Sequence, residues 1–295
     1  MQEYLRVSLV FDGATAANGV IDFYDVQRAL HGFQRTLALV THLVLNDEII
    51  TQAPSLKNAE ILAIPPELGS WKFTAIIVTG LGTGMYTLGT ASTDTPVGYV
   101  VSSLLDYTLN KTFGIELDYK KSIRELINER DMPTGTVPTP ERLNSLAEKT
   151  QNSIIEMHRP IEKGSARSAS IKAVRSGGFV SVGPDMNRAT LAAAREIVEG
   201  DQVVEILGRI SSYNMNTHSG RIYLPAERRT IPFQLSKDSV SRRIDRAISQ
   251  SLDENVGGMP GDEGNILLEG IFSKTKGGDI SRIIAINARK ILKEN

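Results

Sequence analysis

The sequence has no cysteine among its 295 residues, and this absence removes two kinds of chemistry. It excludes disulfide bonds, and it excludes a thiolate as a nucleophile or as a metal ligand. The first residues, MQEYLRVSLVFDG, also lack the basic and apolar segments of a signal peptide. We therefore expect the protein to lie in a reducing cytoplasm.

Motifs typical of enzymes are also missing. The glycine-rich segment GLGTGMYTLG does not fit GxGxxG, and Thr90 stands where a Walker A loop needs lysine. No HExxH or GxSxG pattern occurs, and the four histidines are scattered along the chain: His31, His42, His158 and His218. We therefore predict a protein that is not an enzyme, with no catalytic residue, no metal site and no cofactor.

A strong net charge is lacking too, but the charges are unevenly distributed. Residues 1–110 hold 5 Lys and Arg against 10 Asp and Glu, whereas residues 111–200 and 201–295 each hold 14 against 12. The net charge of −1 creates no field that demands an anionic partner. Any basic binding surface is therefore expected in the last two thirds of the chain.

The most unusual feature that is present is the stretch Phe73–Leu105, whose only charge is Asp94. It is long enough to span a bilayer, but five glycines and many Thr and Ser lower its hydrophobicity. One interpretation is a strand followed by small-residue helices in a soluble core or an oligomer interface. The other is a concealed helical pair that enters a membrane on activation. In that case the membrane-active side chains are Val97, Val100, Val101, Leu104 and Leu105.

Residues 1–115 predict an α+β unit with the order strand, helix, strand, strand. Alternating apolar residues from Leu5 to Phe11 indicate a half-buried strand, and Asp22 is a candidate N-cap. The following helix, to about Leu45, has an apolar seam at heptad spacing, suited to another helix or to a second copy of the chain. Glu60–Ile64 and Trp71–Val78 follow as strands, and Thr95 and Pro96 begin an apolar helix.

Residues 116–200 predict a helical middle region with a linker near 131–140. The linker MPTGTVPTP carries three prolines and a glycine. The segment Arg159–Arg175 is basic, and it is interpreted either as a solvated connector or as a strip that contacts phosphates. The candidate phosphate contacts are Arg159, Lys163, Arg167 and Arg175.

Residues 201–295 predict an OB-like β-barrel. Three strands, a helix from Asp238 to Leu252 and two further strands joined at KTKGG follow the element order of that fold. Element order alone says little about the ligand.

The segment 208–223, GRISSYNMNTHSGRIY, has the residue types that bind single-stranded nucleic acid. Aromatic rings can stack on bases, arginines can neutralise phosphates and amides can read base edges. The alternative is that Tyr and Arg on barrel strands only pack and solvate the barrel. The candidate ligand-binding residues are Arg209, Tyr213, Asn214, Asn216, Arg221, Tyr223, Arg228, Arg229 and Lys274.

Three segments together resemble a family of bacterial anti-phage proteins, the effectors of the Hailong defence system. They are IDFYDVQRALHGFQRTLALVTHLVLNDE, PPELGSWKF with its uncharged sequel, and GRISSYNMNTHSGRIY followed by RTIPFQL. The resemblance implies a tetramer held inactive by a single-stranded DNA oligomer that a partner nucleotidyltransferase makes. It also implies that loss of the oligomer moves the effector from the cytoplasm to the inner membrane, which it damages.

Besides an enzyme with an unrecognised site, two functions remain open. The first is a ligand-gated effector of antiviral defence with membrane activity. The second is a soluble oligomeric module that binds nucleic acid or protein, for example a phage-encoded inhibitor of a host defence system, with Phe73–Leu105 as its oligomer core.

Overall fold

The computed structural model describes residues 3–50, 56–64, 71–79, 96–115, 138–175, 178–256 and 264–291. The chain divides into two compact units, Met1–Arg195 and Glu196–Asn295, each with its own hydrophobic core. The predicted boundary at 200/201 lies close to this division. Strands from both sides of the predicted boundary at 115/116 share one sheet.

The N-terminal unit is built on a five-stranded antiparallel sheet with the order β2-β3-β1-β4-β5. Its strands are β1 (Glu3–Asp12), β2 (Ala59–Ile64), β3 (Trp71–Thr79), β4 (Ser168–Arg175) and β5 (Gly178–Met186). The alternating residues of β1 are buried as predicted, since this strand lies at the centre of the sheet. The predicted order of strand, helix, strand and strand is confirmed for residues 3–79.

The predicted helical middle region is only partly correct. Its described helices are α3 (Pro140–Met157), α4 (Arg159–Lys163) and α5 (Arg188–Arg195), but β4 and β5 lie between α4 and α5. Ala169, Ile171 and Ala173 alternate along β4 and are buried. This period of two identifies a strand, although the basic residues between the small apolar ones suggested a connector. The start of the predicted helical region, residues 116–137, lies outside the described residues, and so does most of the linker.

Helix α1 (Phe23–Asn46) begins at Asp22, whose carboxylate accepts hydrogen bonds from the backbone N–H groups of Tyr24 and Asp25. Its apolar seam is covered by the same chain, because α1 packs against α3. The crossing is close at Gly32, where an added Cβ would lie 2.3 Å from the carbonyl oxygen of Ser153. His42 of α1 is fully buried, and burial lowers its pKa.

Helix α2 (Pro96–Thr112) lies in the N-terminal core, where it packs against β5, α1 and α3. Val100, Val101, Leu104 and Leu105 are buried there, and Val97 is half-buried against the same cluster. Burial raises the pKa of Asp106, whose carboxylate accepts a hydrogen bond from the N–H of Gly183 in β5. No helix within the described ranges is long and apolar enough to cross a membrane.

The C-terminal unit contains a closed five-stranded barrel. Its strands are β7 (Val204–Asn214), β8 (Ser219–Leu224), β9 (Arg229–Leu235), β10 (Asn265–Thr275) and β11 (Ile280–Lys290), and the short strand β6 (Ile197–Glu199) pairs with β10. The pairing runs β7-β8-β9-β11-β10 and closes from β10 to β7, with β9 and β11 parallel. This order, with helix α6 (Arg242–Val256) between β9 and β10, is compatible with the predicted OB-like barrel.

Helix α6 begins four residues after Asp238, the predicted start of this helix. Asp238 lies instead in a short 3₁₀ helix, Lys237–Ser239, and the Ser241 hydroxyl accepts a hydrogen bond from the N–H of Ile244. Ile244 and Ile248 extend from α6 into the barrel core. The predicted β10–β11 hairpin is confirmed, and Gly278 supplies its positive φ of 82°.

Candidate ligand site on the C-terminal barrel

A shallow cavity of about 490 Å³ lies on the barrel where β7, β8, β9 and β11 lie side by side. Ten residues line it: Ser212, Tyr213, Asn214, Ser219, Gly220, Arg221, Pro232, Phe233, Gln234 and Arg282. We call it the two-arginine cavity. Three of the nine predicted ligand residues line it, namely Tyr213, Asn214 and Arg221.

The two arginines lie on either side of Pro232. Arg221 of β8 is the register partner of Pro232 in β9, and Arg282 of β11 precedes Ile283, the register partner of Phe233. Both arginine side chains belong to exposed residues, and no described Asp or Glu lines the cavity. Arg282 makes no ion pair within the described parts of the chain. This wall of the barrel therefore offers two positive charges to an anion.

Arg221 is held in place by its neighbour on β9. Its Nη2 donates a hydrogen bond of 2.8 Å to the carbonyl oxygen of Thr230, and its Nε donates one of 3.3 Å to the Thr230 hydroxyl. These bonds leave the guanidinium on the outside of the barrel. Because part of its rotamer freedom is already lost, less entropy is lost when it contacts a ligand.

Tyr213 is not a free stacking platform, because its side chain is packed into the barrel. Its ring stacks on Phe233 with centroids 5.9 Å apart and planes 8° apart. Its hydroxyl donates a hydrogen bond to the Asp245 carboxylate on α6, and burial together with this bond raises the pKa of the phenol. Tyr213 therefore forms a fixed wall of the cavity and leaves less of its ring for a base than the sequence suggested.

The turn between β7 and β8 is closed by Asn214. Its side-chain oxygen accepts hydrogen bonds from the backbone N–H groups of Asn216 and Thr217. Asn216 is exposed in this turn and does not line the cavity. The amide that lines the cavity beside Asn214 is that of Gln234, which sequence reasoning missed.

Five predicted ligand residues lie elsewhere on the barrel. Arg209 and Tyr223 are register partners on β7 and β8. Arg228, with a positive φ of 50°, and Arg229 lie at the β8–β9 turn, at the opposite end of the barrel from the β7–β8 turn. Arg229 is buried and donates a hydrogen bond to the carbonyl oxygen of Ile280, and Lys274 pairs with Ile280 in the β10–β11 register.

The described basic residues of the segment Arg159–Arg175 lie in different surroundings. The Nε of Arg159 donates to Asp25 at 2.9 Å, and its guanidinium lies 5.4 Å from the ring centroid of Tyr24. Lys163 is exposed at the end of α4, and the Arg167 side chain lies against Gly13. The side chain of Arg175 lies outside the described residues. Arg159 therefore has a structural role in the N-terminal unit.

Arg282, Pro232, Phe233 and Gln234 are the site residues that sequence reasoning missed. Pro232, Phe233 and Gln234 are consecutive in β9, and only the parallel pairing of β9 with β11 brings Arg282 beside them. The one available signal was the alternation of Ile231, Phe233 and Leu235, which are all buried. It places Pro232 and Gln234 on the outer face of β9. Within the described ranges, no group of three or more His, Asp or Glu side chains is arranged to bind a metal.

Two family models match parts of the chain. Residues 7–191, more than half of its length, match a domain of unknown function, DUF7946. The chain belongs to the DUF7946 family. Residues 202–256, which include β7, β8, β9 and α6, match a family of unknown function, DUF7947. No curated protein and no solved structure matches the chain.

Proposed function

We propose that the C-terminal barrel of this DUF7946 protein binds a single-stranded oligonucleotide in the two-arginine cavity. The observation that carries the proposal is the lining itself: two guanidinium groups, from Arg221 and Arg282, and no described carboxylate. Elsewhere on the barrel, Arg289 forms an ion pair with Glu205 at 2.6 Å. A wall with two guanidinium groups and no described carboxylate in its lining favours an anion.

The other lining groups favour a nucleic acid over a simple anion. Pro232 supplies an apolar surface on the outer face of β9, and Asn214 and Gln234 supply amides that hydrogen-bond base edges. A duplex presents stacked and paired bases that a shallow wall cannot reach, whereas a single strand exposes them. We take the barrel as OB-like, a fold whose outer face and loops bind oligonucleotides in other proteins.

The resemblance to Hailong effectors supplies the wider proposal. The ligand is then a DNA oligomer made by a partner nucleotidyltransferase, and it holds a cytoplasmic homo-oligomer, expected to be a tetramer, in an inactive state. Release of the oligomer lets the protein disrupt the inner membrane and so act in antiviral defence. The α1 seam gives this proposal no support, because α3 of the same chain covers it. Light scattering at micromolar concentration tests the oligomer, which a monomer would rule out.

A second candidate is a nucleic-acid-binding module without membrane activity. The burial of Val100, Val101, Leu104 and Leu105 in the N-terminal core favours it, since α2 must leave that core before it can contact lipid. Leakage of dye-filled liposomes separates the two candidates. Leakage that the oligonucleotide suppresses supports the effector, and no leakage with or without the oligonucleotide supports the module.

Direct binding tests the proposed ligand class. The full chain is titrated into a labelled oligodeoxythymidylate of about ten nucleotides, within the range that one OB fold covers. The same sequence paired with its complement is the control. We expect the single strand to bind more tightly than the duplex, with an affinity that falls as salt is raised. Equal affinity for both forms, or no binding of the single strand, would refute the proposal.

A further inference from the structure

The five-stranded sheet of the N-terminal unit has two faces. On β1, the alternate residues from Leu5 to Phe11 lie in the hydrophobic core together with residues of α1 and α2. Successive side chains of a strand point to opposite faces, so Arg6, Ser8 and Val10 lie on the other face. We call this second face the outer face of the sheet.

The strand register brings two lysines to the same face as Arg6. Residues directly opposite each other in neighbouring antiparallel strands share a face. Lys72 of β3 is opposite Val10, and Lys172 of β4 is opposite Ser8. Three cations therefore lie on three adjacent strands, β3, β1 and β4, all within two residue positions of Ser8.

A contact across the sheet shows that the outer face is concave. Nζ of Lys72 on β3 lies 4.3 Å from the ring centroid of Phe179 on β5, although β1 and β4 lie between these strands. Phe179 is opposite Val174 of β4, on the same face. On β1 between them, Ser8 is fully buried, and its hydroxyl is bonded to that of Thr74 at 2.9 Å. The ammonium and the ring therefore approach each other above a polar floor.

The cations of the outer face are not neutralised by the described part of the chain. There, the side chains of Arg6 and Lys172 have no hydrogen-bond or ion-pair partner, and Lys72 contacts the Phe179 ring but no carboxylate. The Nε of Arg6 is buried without an acceptor. A buried donor without an acceptor is destabilising, so this nitrogen points to a bound group that supplies one.

Carboxylates on the described strands restrict the shape of the ligand. On the outer face, Asp12 and Asp185 lie toward one end and Glu60 toward the other. The rows between them hold the three cations and no acidic residue. A long polyanion that runs along the strands would meet carboxylates at both ends, whereas a compact one contacts only the cations.

We propose that the outer face of the N-terminal sheet binds the triphosphate group of a nucleoside triphosphate between Arg6, Lys72 and Lys172. Phosphate oxygens supply the acceptor that Nε of Arg6 lacks, and their charge balances that of the two lysines. Phe179 is 54% exposed at the border of these cations, so its ring has surface left for the base. This site lies in a different unit from the two-arginine cavity, and the inference does not depend on the proposed function.

Calorimetry of the full chain with ATP in magnesium-free buffer tests the phosphate contacts. Lys172→Gln removes one cation from the outer face. Lys163→Gln removes an exposed lysine of α4 in the same unit, and Arg282→Ala removes a cation from the barrel cavity. We expect Lys172→Gln to bind ATP about tenfold more weakly than wild type. Lys163→Gln and Arg282→Ala should match wild type, and Lys72→Gln should repeat the loss.

Inorganic tripolyphosphate separates the nucleotide from its phosphates. Phe179→Ala should weaken ATP binding by about tenfold, through lost stacking, and change tripolyphosphate binding little. Equal binding of ATP by wild type and Phe179→Ala would overturn the assignment of a nucleotide.

Three other results would overturn the site itself. They are no binding of ATP by wild type, wild-type affinity in both lysine variants of the outer face, and loss of ATP binding in Arg282→Ala alone. Circular dichroism confirms that each variant is folded. None of these results bears on whether the barrel binds a single strand, because that binding is measured separately with the oligodeoxythymidylate.

Discussion

The Tyr213 hydroxyl on β7 donates a hydrogen bond to the Asp245 carboxylate on α6. This bond ties the wall of the two-arginine cavity to the helix between β9 and β10. Because the same tyrosine ring stacks on Phe233, the cavity wall is held from two sides. Tyr213 was predicted to stack on a base, and its position gives it a structural role as well.

The structural role of Tyr213 can be separated from the ligand role. Tyr213→Phe keeps the stacked ring but removes the donor to Asp245, so we expect the protein to lose about 1–2 kcal/mol of stability. Base stacking should survive, and affinity for a single strand should change little. Tyr213→Ala should lose both. Urea unfolding combined with anisotropy measures the two effects, and a Phe variant that binds as poorly as the Ala variant would contradict this division.

Helix α2 offers a test of the membrane interpretation. Val100 and Leu104 are at most 4% exposed, so the double change to aspartate places two carboxylates in the N-terminal core. Burying unpaired charges costs several kcal/mol, and we expect the variant to unfold at room temperature. Circular dichroism reports this directly. A double variant that stays folded would mean that α2 leaves the core easily, as the effector proposal requires.

Because α1 and α3 approach closely, we predict that Gly32→Ala lowers stability, whereas the same change usually raises it. In a helix interior this change normally stabilises by about 0.5–1 kcal/mol. Here the added Cβ would lie 2.3 Å from the carbonyl oxygen of Ser153, so the helices must separate. We expect a net loss of about 1–3 kcal/mol, measured by thermal or urea unfolding. A variant as stable as wild type would show that the crossing is wider in solution.

Acid should destabilise the N-terminal unit through His158. Burial lowers the pKa of this histidine to about 4, while its hydrogen bond to the carbonyl oxygen of Ile154 opposes the shift. The unfolded chain therefore takes up the proton at a higher pH than the folded chain. The stability gained from the neutral imidazole is complete above pH 6.5 and is lost as the pH falls toward 4, by about 3 kcal/mol.

The control for this acid effect is His158→Gln. At pH 7 the variant should be less stable than wild type, because it disturbs the hydrogen bonds to Ile154 and Thr190. The difference in free energy of unfolding should shrink as the pH is lowered from 6.5 to 4.5. A difference that stays constant over this range would show that His158 is not the titrating group.

Local patterns predicted the local elements well. The alternation in β1 and the cap at Asp22 each depend on residues close in sequence, and both are found. The strand β4 was missed because its buried positions hold the small residues Ala169 and Ala173, between basic and polar ones. Their burial depends on β1, which lies about 160 positions earlier in the chain.

The candidate site was predicted only in part, because local patterns again identified only residues that are close in sequence. Tyr213, Asn214 and Arg221 belong to one hairpin, so a single segment of sequence brought them together. Arg282 joins them through the parallel register of β9 and β11, which no local pattern specifies. Arg228 and Arg229 follow the same hairpin closely in sequence, yet the turn between β8 and β9 carries them to the other end of the barrel.

The most direct test of the account is the salt dependence of oligonucleotide binding by two matched variants. Arg282→Ala removes a cavity arginine, and Arg289→Ala removes one on the same strand that Glu205 neutralises. The account predicts that Arg282→Ala binds the labelled single strand about tenfold more weakly. Its logarithmic salt slope should be shallower than that of wild type by about 0.7, while Arg289→Ala matches wild type. Wild-type affinity and slope in Arg282→Ala would contradict the two-arginine cavity as the ligand site.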